Sequence, residues 1–165
     1  MSQPIEKVSI IVSRGSLDGV YPGLIMANGA RMEGMDATLF FTFFGLYAVI
    51  DKKMDNIKIA TVGNPAMCVP DAMGFGLPTW MGAIPGMSWY ATSMMKKEME
   101  KLDVPPVSEF IELFVAGGGN LWACKLAADM FKVKKEDLSE HVKGIITVGE
   151  FYEKAGGEGS QIIFT

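Results

Sequence analysis

NLWACKLAADMF, residues 120–131, passes from a short apolar stretch directly into a helical one. NLWAC has the length and the unbroken apolar character of a strand buried on both faces. KLAADMF then opens a helix rich in Ala, Leu and Lys, with no turn residue between the two. A strand that feeds straight into a helix is half of a βα unit.

It recurs upstream. KVSIIVSRG (7–15) is a β-branched run ending in glycine, and it is followed by Leu17, Val20, Tyr21, Leu24 and Ile25 at helical spacing. Asp18 is placed to cap that helix, Pro22 lies near its first turn, and Gly34 is a stop. ATLFFTFFGL (37–46) is expected to be a second strand, and IKIATVG (57–63) a short third one. A helix is expected from about Trp89 to Leu102. After Pro105 and Pro106, another is built on Val107, Phe110, Ile111 and Phe114 and ended by the glycines 117–119. Downstream, KEDLSEHV (135–142) suggests a short polar helix and KGIITVG (143–149) a buried strand. EFYEKAGG (150–157) suggests a last helix and SQIIFT (160–165) a closing strand.

Uniformly apolar strands alternating with helices predict a single α/β domain over residues 1–165. Its sheet is mostly parallel and flanked by helices, a three-layer sandwich of the flavodoxin-like kind. One segment breaks the alternation. From Asn64 to Met95 the chain is rich in Gly, Pro, Met and aromatics and poor in charge, and is expected to be an insertion. It reads either as a loop packed on the domain or in an oligomer contact, or as a docking element for a partner or a membrane surface.

Composition narrows the function classes. Of 165 residues, 49% are apolar and 21% charged, enough to bury a core. The net charge of −4, with no basic stripe, argues against nucleic-acid binding. Two distant cysteines and the single His141 give neither a disulfide framework nor the clustered ligands of a metal site. The start, MSQPIEKVSIIVSRG, does not read as a signal peptide. The apolar run DATLFFTFFGLYAVI is shorter than the ~20 residues that span a bilayer. A soluble, cytoplasmic protein without a cofactor is expected.

Cys124 is the residue with chemistry. Placed where a strand ends and a helix begins, it sits beyond the carboxyl end of a strand, where α/β sheets put their reactive groups. Free N–H groups at a helix start stabilise a thiolate, and Lys125 adds positive charge if its side chain turns that way. A buried packing cysteine is the competing reading, because free Cys is among the most buried residue types. Cys68, in NPAMCVPD, is either a packing residue or a relay partner for Cys124. The loop SRGSLDG (13–19) has the position, but not the full glycine pattern, of a phosphate cradle. His141 reads as a solvated residue among charges.

SRGSLDGVYPGLIMANGARMEGMDATLFFTFFGL together with LWACKLAADMF resembles the DsrE/DsrF-like sulfur-relay family. The likeness is to its subgroup with a TFFGL-type second strand and a longer, NP-containing middle insertion, and it runs from about Lys7 to the C-terminus. The resemblance implies a compact α/β domain, homo- or hetero-oligomers, and a cysteine that carries sulfur as a persulfide or thiosulfonate. Sulfur would pass among TusA-like and rhodanese-like proteins. The family's sulfur-bearing cysteine stands in a segment of the form Ala-Cys, three or four residues, Asp and two apolar residues. Ala123, Cys124, Asp129, Met130 and Phe131 match it, which assigns the role to Cys124. Asp129 is then a helix-stabilising or hydrogen-bonding residue rather than a general base. A small-ligand scaffold of flavodoxin-like fold and a redox thiol sensor are the alternatives.

Overall fold

Five parallel strands in the order β4-β3-β2-β1-β5 form the sheet. The computed structural model describes residues 4–64, 76 and 78–165. The strands are β1 (Lys7–Val12), β2 (Asp36–Phe41), β3 (Asn120–Cys124), β4 (Gly144–Ile146) and β5 (Ser160–Phe164). The helices are α1 (Leu17–Met32), α2 (Met87–Lys101), α3 (Val107–Ala116), α4 (Lys125–Phe131) and α5 (Val148–Ala155). An α/β fold with a parallel sheet flanked by helices is therefore what the chain adopts. It divides into two compact units, one of residues 1–15, 19–57 and 106–165, the other of 16–18 and 58–105.

The first unit holds the sheet. From β1 to β4 the chain steps in one direction, and the last connection returns to the far side of β1. Right-handed crossovers then put the early helices on one face and α5 on the other. Gly23 of α1 lies against Val12 and Ile10. Tyr21 of α1 meets Phe110 of α3 edge-on, with ring centroids 6.0 Å apart. On the opposite face, Phe151 of α5 stacks on Phe40 of β2 at 4.5 Å, and the Lys154 ammonium lies over the Trp122 ring. Sandwiched in this way, Ile10, Leu39, Phe41, Leu121, Ile111 and Phe114 are fully buried. Arg31 ties the end of α1 to its neighbours, donating to the carbonyls of Gly117 and Met35 and pairing with Asp36.

The loops after β1 and β2 pack backbone to backbone. A Cβ at residue 45 would lie 2.2 Å from the Val12 carbonyl oxygen, and one at residue 15 would lie 2.4 Å from the Phe44 carbonyl oxygen. Hydrogen bonds from Thr42 N–H to Val12 and from Gly45 N–H to Ser13 close the contact. This corrects the expectation of one strand over 37–46. The strand stops at Phe41, Phe43 takes a left-handed backbone (φ 50°), and Phe43–Val49 forms a 3-10 helix. The run is apolar throughout because that 3-10 helix is itself buried along Gly45, Leu46, Ala48 and Val49.

Two further expectations are corrected. Only a 3-10 turn at Lys135–Asp137 forms where a polar helix was expected, because Leu138 is drawn into an antiparallel bridge with Ile50 and Ser139 N–H bonds Val49. KGIITVG keeps three residues as strand, since Thr147 turns to cap α5.

In the second unit, a 3-10 helix (Thr79–Ala83) precedes α2. The expected strand at 57–63 is extended chain outside any ladder. Its N–H groups go to side chains instead: Ile59 to the Thr92 hydroxyl and Ala60 to the Asp18 carboxylate. Asp18 thus holds Ala60 rather than acting as the first cap of α1. Thr61 donates to the Gly82 carbonyl, and a Cβ on Gly82 would lie 2.1 Å from the Thr61 oxygen. Most of the expected 64–95 insertion falls in this unit, while residues 65–75 and 77 lie outside the described ones.

Gly45→Ala is expected to lose at least ~2 kcal/mol, because the new methyl must displace the end of β1. Gly29→Ala, in α1 with nothing near its Cβ position, should gain about 0.5–1 kcal/mol from helix propensity. Urea titration of both variants checks the opposite signs. Burial, and secondarily the charge of Asp55, push the Tyr21 phenol up from 10.0 to about 12. Folding therefore favours its neutral form. That contribution is intact below pH 10 and is lost as pH rises through about 12. Between those values the wild type should lose stability more steeply than Tyr21→Phe, read from urea midpoints across the range.

Candidate functional site

The site is built where β3 ends. Cys124 is the last residue of β3 and the N-cap of α4, with an extended backbone (φ −75°, ψ 125°). It pairs in register with Ile146, the last residue of β4, and it follows Ala123, which pairs with Phe41 at the end of β2. Three strand ends thus converge on the cysteine. Alternation puts Cys124 on the sheet face of Trp122, Phe40 and Ile146, the face covered by α5.

The thiol is free and buried, with 3% of the residue exposed. Its sulfur makes no capping hydrogen bond to α4. The first N–H groups of that helix have no intrahelical acceptor, as at every helix start. A thiolate formed at this N-cap stands next to the positive end of α4.

The neighbouring helix start is already used. Thr147 caps α5 by accepting from Glu150 N–H, and the Glu150 carboxylate accepts from both the N–H and the hydroxyl of Thr147. These bonds, the backbone one first, hold the Glu150 carboxyl below its ordinary range. The end of α5 therefore carries a negative charge of its own.

The other expected residues divide. Lys125 and Asp129 are brought together, 3.1 Å apart across one helical turn, and both are largely exposed. The pair fits a helix-stabilising role for Asp129, and it holds the ammonium of Lys125 along the surface of α4. Cys68 lies outside the described residues. His141 sits half-buried in a turn, its N–H facing the Ser139 hydroxyl. In the loop after β1, the Ser13 hydroxyl donates to the Thr165 carbonyl, and the first turn of α1 carries the carboxylate of Asp18. Neither feature suits a phosphate cradle.

Sequence reasoning missed a cluster of rings in which Phe43, Phe44 and Tyr47 meet Phe131, at the far end of the helix that Cys124 caps. By sequence Phe131 belongs to the cysteine segment and the FF pair to the expected strand over 37–46. Only the turn at Phe43 brings them together. Among the described residues, no helix is long and apolar enough to cross a membrane.

The chain is 35% identical over 153 residues to "Sulfur carrier protein DsrE2" of Allochromatium vinosum, covering 92% of this chain and 93% of that protein. YrkE of Bacillus subtilis (strain 168), an uncharacterized protein, is 24% identical over 146 residues, covering 86% and 87%. Among solved structures, the crystal structure of the ychN protein from E. coli superposes with a TM-score of 0.54 at 14% identity, covering 97% of this chain and 99% of that one. That last likeness is one of fold. Residues 4–163, nearly the whole chain, match the DsrE/DsrF/DrsH-like family, and the chain belongs to it.

Proposed function

We propose that this protein is a sulfur carrier that holds sulfane sulfur on Cys124 and passes it to partner proteins. The observation that carries the reading is the position of Cys124, a free thiol at the junction of β3 and α4 in a chain of this family. Its relative in Allochromatium vinosum, which aligns across nearly the whole length, is named a sulfur carrier protein.

The chemistry is thiol exchange at sulfur. The Cys124 thiolate attacks the outer sulfur of a donor persulfide, the donor's S–S bond breaks, and the donor leaves as a thiolate. Cys124 now carries a persulfide. An acceptor thiolate attacks its outer sulfur and releases Cys124 unchanged, so no external oxidant or reductant is consumed. With tetrathionate, the same attack leaves a thiosulfonate group on Cys124 and expels thiosulfate. TusA-like and rhodanese-like proteins are the expected donors and acceptors, and a cytoplasmic homo-oligomer is the expected form. Cys68 is assigned the lesser role of a relay thiol.

Reduced protein treated with polysulfide or tetrathionate should gain the corresponding mass in the wild type and in Cys68→Ser, and lose that gain in Cys124→Ser. A gain that survives Cys124→Ser unchanged overturns the assignment. Transfer of labelled sulfur to a TusA-like acceptor separates a carrier from a thiol sensor, which would be modified without passing sulfur on.

Burial makes a second expectation. In a Cys68→Ser background, Cys124 should react with a bulky aromatic disulfide at least roughly tenfold more slowly than a small exposed thiol. Urea unfolding should erase the difference, as followed by release of the coloured thiolate.

A further inference from the structure

Four aromatic rings form one surface patch at the carboxyl edge of the sheet. Phe131, at the end of the helix that Cys124 caps, has its ring centroid 5.5 Å from both Phe44 and Tyr47 and 6.2 Å from Phe43. Phe43 and Phe44 cross at 88° and are half-exposed, at 50% and 49%. Adjacent exposed aromatics are the side chains that dominate protein–protein interfaces, and isolated monomers seldom leave them uncovered.

Charge distinguishes the occupant. The Lys53 ammonium lies 4.0 Å from the Tyr47 ring centroid, and Lys132 directly follows Phe131. Among the described residues neither lysine forms an ion pair. The bordering segments 51–53 and 132–137 hold five lysines and three carboxylates, while the whole chain carries −4. The patch is therefore a positive island on an acidic protein. A second copy docked on it by two-fold symmetry would set one net-positive rim against another, which disfavours self-association there. So small a lysine excess falls short of a nucleic-acid footprint.

We propose that Phe43, Phe44, Tyr47 and Phe131, with Lys53 and Lys132 at the rim, form the docking surface for an acidic protein that exchanges sulfur with Cys124. This rests on the sulfur-carrier reading, and it adds the surface and the charge of the partner. The rings supply the desolvated anchor, and the lysines steer an acidic face onto the end of the sheet where the cysteine stands.

Two dye-labelled peptides test it, each with one cysteine flanked by leucines, one bearing glutamates and its twin bearing lysines. Anisotropy titrations of the whole protein should show the acidic peptide binding roughly tenfold tighter than its twin at low salt, with the preference lost at high salt. The double variant Lys53→Glu/Lys132→Glu should abolish or invert the preference. Phe44→Ser, checked for folding by circular dichroism, should weaken binding of the acidic peptide several-fold. Equal binding of the two peptides, or a preference unchanged by charge reversal, overturns the proposal. So does a concentration-dependent assembly that Phe44→Ser dissociates, because the patch would then be a self-interface. Tighter binding of a single-stranded oligonucleotide than of the acidic peptide also overturns it. Polysulfide loading of the wild type is measured in parallel. If Cys124 takes up no sulfur, the carrier reading fails, while the charge preference still decides whether the surface selects acidic partners.

Discussion

The close approach of two loop backbones, with Gly15 against the Phe44 carbonyl and Gly45 against the Val12 carbonyl, organises the carboxyl end of the sheet. Both contacts are shorter than any side chain bearing a Cβ allows. They end β2 at Phe41, turn the chain through the left-handed backbone at Phe43, and start the buried 3-10 helix that follows. The ring of Phe131 then meets Phe43 and Phe44, so the end of α4 packs against a turn set by two glycines.

Sheet topology supplies the rest of the site. Parallel strands joined by right-handed crossovers align all their carboxyl ends on one edge, and Cys124 ends the strand next to β2 on that edge. The helix that begins there leaves its first N–H groups without intrahelical acceptors, whereas the start of α5 is capped by Thr147 and Glu150. Two helix starts therefore follow the ends of neighbouring strands, and the Glu150 carboxylate occupies one of them. Shielded by its neighbours, Cys124 is only 3% exposed.

Legibility followed the range of the forces. NLWACKLAADMF is legible as strand and helix because apolar character and helix propensity are local, and α3, α5 and β5 are legible for the same reason. IKIATVG has the composition of a strand but finds no ladder. Thr92 and Asp18 take its N–H groups, and neither residue is near it in sequence. KEDLSEHV could not complete a helix because Leu138 pairs with Ile50, more than eighty residues earlier in the chain. Lys125 was legible as a charge beside the cysteine, but its pairing with Asp129 is a matter of side-chain direction.

By itself the sequence determined the class of fold, the location of the one described cysteine at a strand–helix junction, and the residues of the Ala-Cys segment. Each of these depends on residue type and spacing within a few turns of chain. Tertiary structure alone decided where β2 stops, which N–H groups pair with side chains rather than strands, and which rings gather around Phe131. Those outcomes come from contacts between segments distant in sequence, where a carbonyl oxygen, a missing Cβ or a neighbouring ring outweighs local preference.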